Sequence, residues 1–193
     1  YKPSLFEKQI SKETYGYLEE KMYRFPGFFV QPRTIRFYPK PIGAHLFGYV
    51  GEVTQGLIDK NPYYKSGDYI GISGIEKSYE EELRGIKGMK IRMVDVHNRE
   101  VGSFQEGRFD SAAIMGQDLY LSIDADLQEY GELLMQGKMG SVVAIEPSTG
   151  EILAFLSSPG YDPNLLVGRV RGKNFKMLSG DPVKPLLNRA MAG

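Results

Sequence analysis

Side chains suited to catalysis or metal binding are sparse in this sequence. There is no cysteine, and the two histidines are His45, in a glycine-rich stretch, and His97, in a polar stretch. The lack of cysteine excludes disulfides, thiolate nucleophiles and cysteine-based zinc sites within these residues. A histidine base needs partners at a defined geometry, and no HExxH, P-loop or GxGxxG motif is present. Both histidines are therefore predicted to be structural. No catalytic, metal-binding or cofactor-binding residue is predicted for this chain.

Asp124 and Asp126 could be a carboxylate pair for acid–base or metal chemistry. They stand where a helix is predicted to begin, and acidic side chains there satisfy free backbone N–H groups and the helix dipole. Asp126 and Glu129 also have the spacing of a capping box. The favoured interpretation is therefore helix capping.

The triplet Lys65-Ser66-Gly67 resembles the K-[ST]-G motif that lines the site of serine acyl-transferases carrying S-x-x-K. No serine in the chain is followed three residues later by lysine, and no S-x-N occurs. The triplet also lies in a turn-rich segment (61–74) that predicts a surface loop. It is interpreted as a chance match.

The segment "KMYRFPGFFVQPRTIRFYPK" (21–40) holds five basic and six aromatic residues and no acidic one. Interleaved arginine and aromatic side chains suit a nucleic-acid surface or a protein-contact surface. A half-buried sheet with arginines that reach the solvent gives the same pattern. Nucleic acid is disfavoured because basic and acidic residues balance at 24 each. The candidate partner-contact residues are Arg24, Phe25, Arg33, Arg36 and Tyr38.

The elements predicted for the N-terminal half are short. Apolar residues at three- and four-residue steps predict that residues 4–23 are helical, with Ser11 as the cap of a second helix start, and Pro26-Gly27 ends this pattern. Short β-type runs follow to residue 41, and "GAHLFGYVGEV" (43–53) predicts a strand lined with glycines. "IEKSYEEELRG" (75–85) predicts a helix that ends at Gly85.

The second half predicts two hairpins around a strand and a helix. Residues 89–104 alternate like a hairpin with "HNRE" as its turn, and 117–137 predict a strand followed by a helix. Residues 141–157 form two apolar runs joined by "EPSTGE". Strands that are apolar throughout are covered on both faces, and little chain remains to cover this hairpin. A change in composition at 107–117 is the best domain boundary.

The overall composition is that of a globular protein. The chain has 193 residues, of which 41% are hydrophobic and 25% charged. No apolar run approaches the roughly 18 to 20 residues of a membrane span, and no signal segment is present. The absence of cysteine suits an oxidising compartment.

Seven stretches, in this order, resemble the class B penicillin-binding proteins, and in particular their elongation-type group, penicillin-binding protein 2. They are "RFPGFFV" (24–30), "RFYP" (36–39), "AHLFGYVGEV" (44–53), "GISGIEKSYEEELRGIKG" (71–88), "QDLYLSIDADLQ" (117–128), "VVAIEPSTGEILAFLSSPGYDPN" (142–164) and "PLLNRAMAG" (185–193). Each stretch is a weak signal, but their succession is specific. The division-type relatives remain an alternative, although the "YDPN…NRA" ending favours the elongation type.

The resemblance implies an α+β fold in two parts. Residues 1–115 would be an N-terminally incomplete pedestal, or dimerisation, domain of short strands and helices. Residues 116–193 would be the first helix and β-hairpin of a transpeptidase domain, ending before its P-G-S-x-x-K motif. The acylated serine would then lie beyond Gly193, as would binding of peptidoglycan and of β-lactams.

The resemblance also implies a role for the chain. It would be a non-catalytic part of a peptidoglycan D,D-transpeptidase of cell-wall elongation, on the extracytoplasmic (periplasmic) side of the inner membrane, with a membrane anchor outside these residues. Its partners would be the membrane glycan polymerase and a coiled-coil scaffold protein of the elongation complex, with no cofactor and no nucleic acid. The rest of the central sheet would come from outside the chain, so residues 141–157 are expected to expose apolar surface or to self-associate.

Two functions of other classes stay open from the residues alone. One is a stand-alone serine hydrolase or acyl-transferase with an unrecognised nucleophile. The other is a glycan-binding module that uses exposed tyrosines as stacking platforms. Acylation by a β-lactam would favour the first, and saturable muropeptide binding would favour the second.

Overall fold

The computed structural model describes residue 4 and residues 6–30, 35–97 and 99–192, and shows an α+β fold. The helices are α1 (Lys12–Glu19), α2 (Ala44–Phe47), α3 (Gln55–Lys60), α4 (Gly74–Ser78), α5 (Glu80–Arg84), α6 (Ala125–Leu134) and α7 (Arg171–Gly180). The antiparallel strand pairs are β1 (Val50–Glu52) with β2 (Tyr69–Gly71), β3 (Arg92–Val94) with β4 (Glu100–Ser103), and β5 (Gly140–Ile145) with β6 (Ile152–Ser158). Short 3-10 helices lie at Met22–Arg24, Phe104–Gly107 and Pro163–Leu166.

The first helix is shorter than its apolar pattern predicts. Ser11 caps α1, because its side-chain oxygen accepts a hydrogen bond from the Thr14 N–H at 3.1 Å. Upstream, Gln9 has a positive φ of 51°, which a right-handed helix excludes. The cap was predicted correctly, but the predicted start near residue 4 is wrong for the residues described there.

The glycine-rich stretch 43–53 is a helix followed by a strand, so the prediction of a single strand is wrong. Gly43 begins α2 with a φ of 65°, and a Cβ there would lie 2.9 Å from Cε2 of Phe47. Gly48 ends α2 with a φ of 77°, and a Cβ there would lie 2.0 Å from the Ser73 carbonyl oxygen. These glycines therefore mark the two ends of a four-residue helix.

The predicted helix over 75–85 is two helices, α4 and α5, which meet at Tyr79 (φ −116°, ψ 30°). Its C-terminal signal was predicted correctly, since Gly85 follows α5 with a φ of 64°. The predicted hairpin around "HNRE" is confirmed by the pairing of β3 with β4. Two predictions of strand are wrong: no strand is assigned at 28–30 and 35–41, or at 117–123, among the residues described there.

Helix α6 and the β5–β6 hairpin pack against each other in the C-terminal part. The pairing runs from Gly140 with Ser158 to Ile145 with Ile152. Helix α6 packs on β6, and Ala154 and Leu156 of that strand are 2% and 3% exposed. Other buried hydrophobic residues are Ile42, Ala44, Val53, Tyr64, Leu166 and Leu178. The core therefore runs from α2 and its flanks to β6 and the 3-10 helix after it.

Candidate functional site

The clearest functional feature is a short segment, residues 38–45, which we call the clasp segment. It lies between the N-terminal elements and the C-terminal part of the chain. At its start, the Tyr38 N–H donates to Oδ1 of Asn164 at 3.0 Å, and Nδ2 of Asn164 donates to the Tyr38 carbonyl oxygen at 2.9 Å. Asn164 thus binds one residue's peptide groups as a neighbouring strand would.

Asn164 is itself held in place by the 3-10 helix Pro163–Leu166. Oδ1 of Asp162 caps this helix and accepts from the backbone N–H of Asn164 at 2.8 Å and from its Nδ2 at 3.0 Å. Pro163 stands at the first position of the helix, and Leu166 is completely buried. The amide that binds Tyr38 is therefore pre-oriented on a buried turn.

The side chain of Tyr38 is anchored on the opposite side by Glu76 of α4. The Tyr38 hydroxyl donates to Oε1 of Glu76 at 3.3 Å, and Nε and Nη2 of Arg36 donate to the two oxygens of this carboxylate at 2.9 and 3.0 Å. Glu76 is only 6% exposed, so the bidentate arginine compensates a buried charge. Burial, together with the Glu76 carboxylate, raises the pKa of Tyr38 well above its usual range. Tyr38 is therefore a neutral hydrogen-bond donor.

The middle of the clasp segment is bound to α6. Nζ of Lys40 lies 2.9 Å from Oδ1 of Asp126 and 3.1 Å from Oε2 of Glu129. The N–H of Gly43 donates to Oε1 of Glu132 at 2.7 Å. These contacts use the same face of α6, because its carboxylates recur at three-residue steps.

The end of the clasp segment contacts the loop that follows α7. Nε2 of His45 lies 2.7 Å from the carbonyl oxygen of the buried Pro185. The imidazole also meets the ring of Tyr161 edge-on, with centroids 5.4 Å apart. Burial lowers the pKa of His45 and raises the pKa of Tyr161 to about 12. Both groups are therefore uncharged near neutral pH.

The candidate partner-contact residues that the structure describes have two kinds of surroundings. Arg24 and Phe25 lie at the end of the first 3-10 helix, and the Phe25 ring meets that of Phe28 edge-on at 6.0 Å. Arg36 and Tyr38 are instead bound to Glu76, as described above, and Arg33 lies outside the described residues. Whether any of them contacts a partner stays a prediction.

Several large apolar side chains around these residues are exposed. Phe28 and Phe29 are 52% and 68% exposed, and Phe37 is 77% exposed. An apolar surface of this kind often marks an interaction site. We call the exposed aromatic residues of the 23–29 segment the aromatic surface; they are Tyr23, Phe25, Phe28 and Phe29.

The remaining candidates for chemistry have structural surroundings. Asp124 caps α6, since its Oδ1 accepts from the N–H groups of Asp126 and Leu127, so the cap is Asp124 rather than Asp126. His97 is exposed in the β3–β4 turn, where its N–H donates to Oδ1 of Asp95 at 2.8 Å. Ser66 lies in a turn after Lys65, as predicted. Within the described ranges, no three His, Cys, Asp or Glu residues are grouped to hold a metal ion.

The β5–β6 hairpin exposes apolar surface, as predicted for residues 141–157. Val142, Val143 and Ile145 of β5 are 46%, 41% and 57% exposed, whereas β6 is largely buried against α6. Within the described residues, β5 therefore lacks the cover on both faces that its apolar run predicts. Of the helices that the structure describes, none is long and apolar enough to cross a membrane.

Sequence reasoning missed the residues that hold the clasp segment, which are Glu76, Glu132 and Asn164, and it also missed Gln128 of α6. Gln128 is 1% exposed and bonds both peptide groups of Phe155, at 2.9 Å to the carbonyl oxygen and 2.8 Å from the N–H. The Asp-Pro-Asn turn could have indicated Asn164 as a turn residue. Nothing local indicates which residue it binds.

Comparison with known proteins gives one family. The profile of the penicillin-binding protein dimerisation domain matches residues 1–121. The peptidoglycan D,D-transpeptidase MrdA of Acinetobacter baumannii is 38% identical over the whole chain, which covers 28% of that protein. The chain thus spans less than a third of this curated relative's length.

Solved structures agree with this match. The complex between the penicillin-binding protein PBP2 and MreC from Helicobacter pylori contains a chain that aligns with 93% of this chain. The alignment covers 33% of that solved chain, with a TM-score of 0.75 and 29% identity. A peptidoglycan synthase complex that coordinates polymerization and crosslinking aligns over the same shares, with a TM-score of 0.65 and 28% identity. The division into domains at 115/116 is tested by neither and stays a prediction. The resemblance first inferred from seven stretches is thereby confirmed, and the chain belongs to the penicillin-binding protein dimerisation domain family.

Proposed function

We propose that this chain is the pedestal and the opening part of the transpeptidase domain of a peptidoglycan D,D-transpeptidase of cell-wall elongation. Its role is to hold the catalytic domain in position and to contact partners on the extracytoplasmic side of the membrane. The relatives' name supports the reaction class, and the match over the full chain supports the assignment to this region.

The observation that carries the positioning role is the clasp segment. Between Tyr38 and His45 it makes hydrogen bonds or ion pairs to Asn164, to α6 and to Pro185. These partners lie 86 to 140 residues away in sequence. A segment bound at so many points transmits a displacement of the N-terminal part to the C-terminal part, because packed elements move as units.

The catalytic serine of the reaction is proposed to lie outside these residues. Acyl transfer by this family's chemistry needs an activated serine with a lysine base and an oxyanion hole, and no S-x-x-K is present. The test is the intact mass of the chain after incubation with excess benzylpenicillin. An unchanged mass is expected. A stoichiometric acyl adduct would overturn this assignment and favour the alternative of a stand-alone serine acyl-transferase.

The aromatic surface is proposed to contact the scaffold protein of the elongation complex. Two lines support this: the exposure of Phe28 and Phe29, and the similarity to a penicillin-binding protein solved with MreC. The test is binding to the MreC homologue of the same organism. Phe29→Asp is expected to weaken binding at least tenfold, and Tyr120→Asp, at a 95% exposed site elsewhere, is the matched control. Equal binding by wild type and Phe29→Asp would remove this surface from the proposal.

Two further contacts belong to the proposal. The membrane glycan polymerase is a proposed partner because a peptidoglycan synthase complex is among the structural neighbours, but no residue of this chain is assigned to it. Self-association through residues 141–157 is proposed because β5 leaves Val142, Val143 and Ile145 exposed on a sheet of two strands.

A further inference from the structure

His45 joins the clasp segment to the loop after α7. The atom that meets the Pro185 carbonyl oxygen is Nε2, at 2.7 Å, from a residue 140 positions away. A carbonyl oxygen only accepts, so Nε2 carries the proton and donates it. The neutral ring that burial favours can hold its proton on this nitrogen.

The imidazole is fixed from its own side. It belongs to α2, whose first turn is bound to α6 through the Gly43 N–H and Glu132. Tyr161 meets the ring at an interplanar angle of 79°, and its hydroxyl reaches the Ala44 carbonyl oxygen at 3.5 Å. The donor is therefore pre-oriented.

The loop on the acceptor side, residues 183–190, is a single unit. Arg189 folds back on it, with Nη2 2.6 Å from the Val183 carbonyl oxygen and Nη1 3.1 Å from that of Lys184. Oγ of Ser157, on β6, accepts from the Arg189 N–H at 3.0 Å and donates to the Leu187 carbonyl oxygen at 3.1 Å. The loop is thus fastened at two points, to β6 by Ser157 and to the clasp segment by His45.

We infer that His45 is a positioning residue that fixes the 183–190 loop relative to the clasp segment. We further infer, on the basis of the proposed function, that this contact sets the acylation rate of the transpeptidase. The family resemblance implies that the nucleophile follows soon after this loop. His45 touches neither substrate nor nucleophile and acts through the loop alone.

The first experiment uses the 193-residue chain and hydrogen exchange of the backbone amides. His45→Phe keeps a flat ring against Tyr161 but removes the donor, and His45→Gln restores an N–H donor at the reach of Nε2. Exchange of the Arg189 amide is expected to rise roughly tenfold in His45→Phe, through local opening, and to return towards wild type in His45→Gln. His97→Phe, at an exposed turn, is the matched control and leaves it unchanged.

This experiment also separates local release from misfolding. Protection of the α6 amides from exchange must persist in every variant. If His45→Phe fails to fold, exchange of the Arg189 amide in His45→Gln decides the loop-fixing role. Wild-type exchange at Arg189 in a folded His45→Phe would overturn the loop-fixing role.

The second experiment uses the full-length protein that contains these residues, and separates β-lactam affinity from the acylation rate at saturation. A small misplacement of reacting groups lowers rate more than binding. We expect His45→Phe to lower the saturating rate roughly tenfold with little change in affinity, and His45→Gln to recover it. A wild-type rate in His45→Phe overturns the link to acylation. A wild-type protein that is not acylated at all overturns the proposed function instead, and the exchange experiment still decides the loop-fixing role.

Discussion

Replacement of Gln128 by leucine tests how α6 is joined to the β5–β6 hairpin. The side chain of Gln128 is 1% exposed and takes part in three hydrogen bonds. Its Nε2 donates to Oε1 of Glu132 at 2.8 Å and to the Phe155 carbonyl oxygen at 2.9 Å, and its Oε1 accepts from the Phe155 N–H at 2.8 Å. Gln128 thus binds the edge of β6 opposite β5, as a further strand would.

The expected loss follows from these three bonds. A buried intramolecular hydrogen bond contributes about 1 kcal/mol net, so Gln128→Leu is expected to lower the free energy of unfolding by about 3 kcal/mol. Leucine has a similar size and keeps water away from Phe155, so the peptide groups of Phe155 stay unpaired. For a chain of this length the loss corresponds to a decrease in Tm of roughly 6 to 12 °C.

The assay is urea unfolding followed by far-UV circular dichroism, since the chain has no tryptophan. Gln136→Leu is the matched control, because Gln136 is exposed just beyond the end of α6. It is expected to change the free energy of unfolding by less than about 0.5 kcal/mol. A Gln128→Leu variant as stable as Gln136→Leu would refute the reasoning and mean that water or a shifted strand satisfies Phe155.

Three further predictions concern charge, pH and association. Glu76→Gln removes the charge that pairs with the partly exposed Arg36 and is expected to lower the free energy of urea unfolding by about 1 to 2 kcal/mol. Glu81→Gln, at a largely exposed carboxylate, should cost almost nothing, and equal losses would contradict the role of the Arg36–Glu76 pair. The pKa of Tyr161, raised by burial from 10.0 to about 12, predicts stability that is complete below pH 10 and is lost as pH rises towards 12; in Tyr161→Phe this alkaline loss should shrink, and an unchanged pH profile would argue against it. Val143→Glu is expected to lower any self-association seen by analytical ultracentrifugation at least tenfold, whereas an unchanged dimer fraction would exclude the β5 surface.

Local sequence signals sufficed where the interacting groups are close in the chain. Ser11 was identified as a cap, and its partner is only three residues away. Gly85 was placed at a helix end, and the "EPSTGE" turn located the β5–β6 hairpin. In each case the free energy that stabilises the cap, the helix end or the turn comes from backbone geometry and from hydrogen bonds between neighbouring residues. The order of seven short stretches was likewise enough to identify the family.

Local patterns failed where distant contacts choose between helix and strand. Gly43 and Gly48 were interpreted as glycines of a strand, but Gly48 approaches Ser73 so closely that only a glycine fits. That contact, with a residue 25 positions later in the sequence, favours the short helix α2. The apolar pattern of 4–23 overestimated α1 for a related reason: α1 has no buried residue, so no packing extends it.

The sequence by itself determined the caps and the two hairpins, because these depend on residues a few positions apart. The order of seven stretches along the chain determined the family and, through it, the α+β class. Only the tertiary structure decided that Arg36 and Tyr38 meet Glu76, that Asn164 binds Tyr38 from 126 residues away, and that His45 reaches Pro185. A side chain such as asparagine, glutamate or histidine can bond many partners, and its own position in the sequence does not select one. The selection is made when packing brings two distant peptide groups within about 3 Å of it.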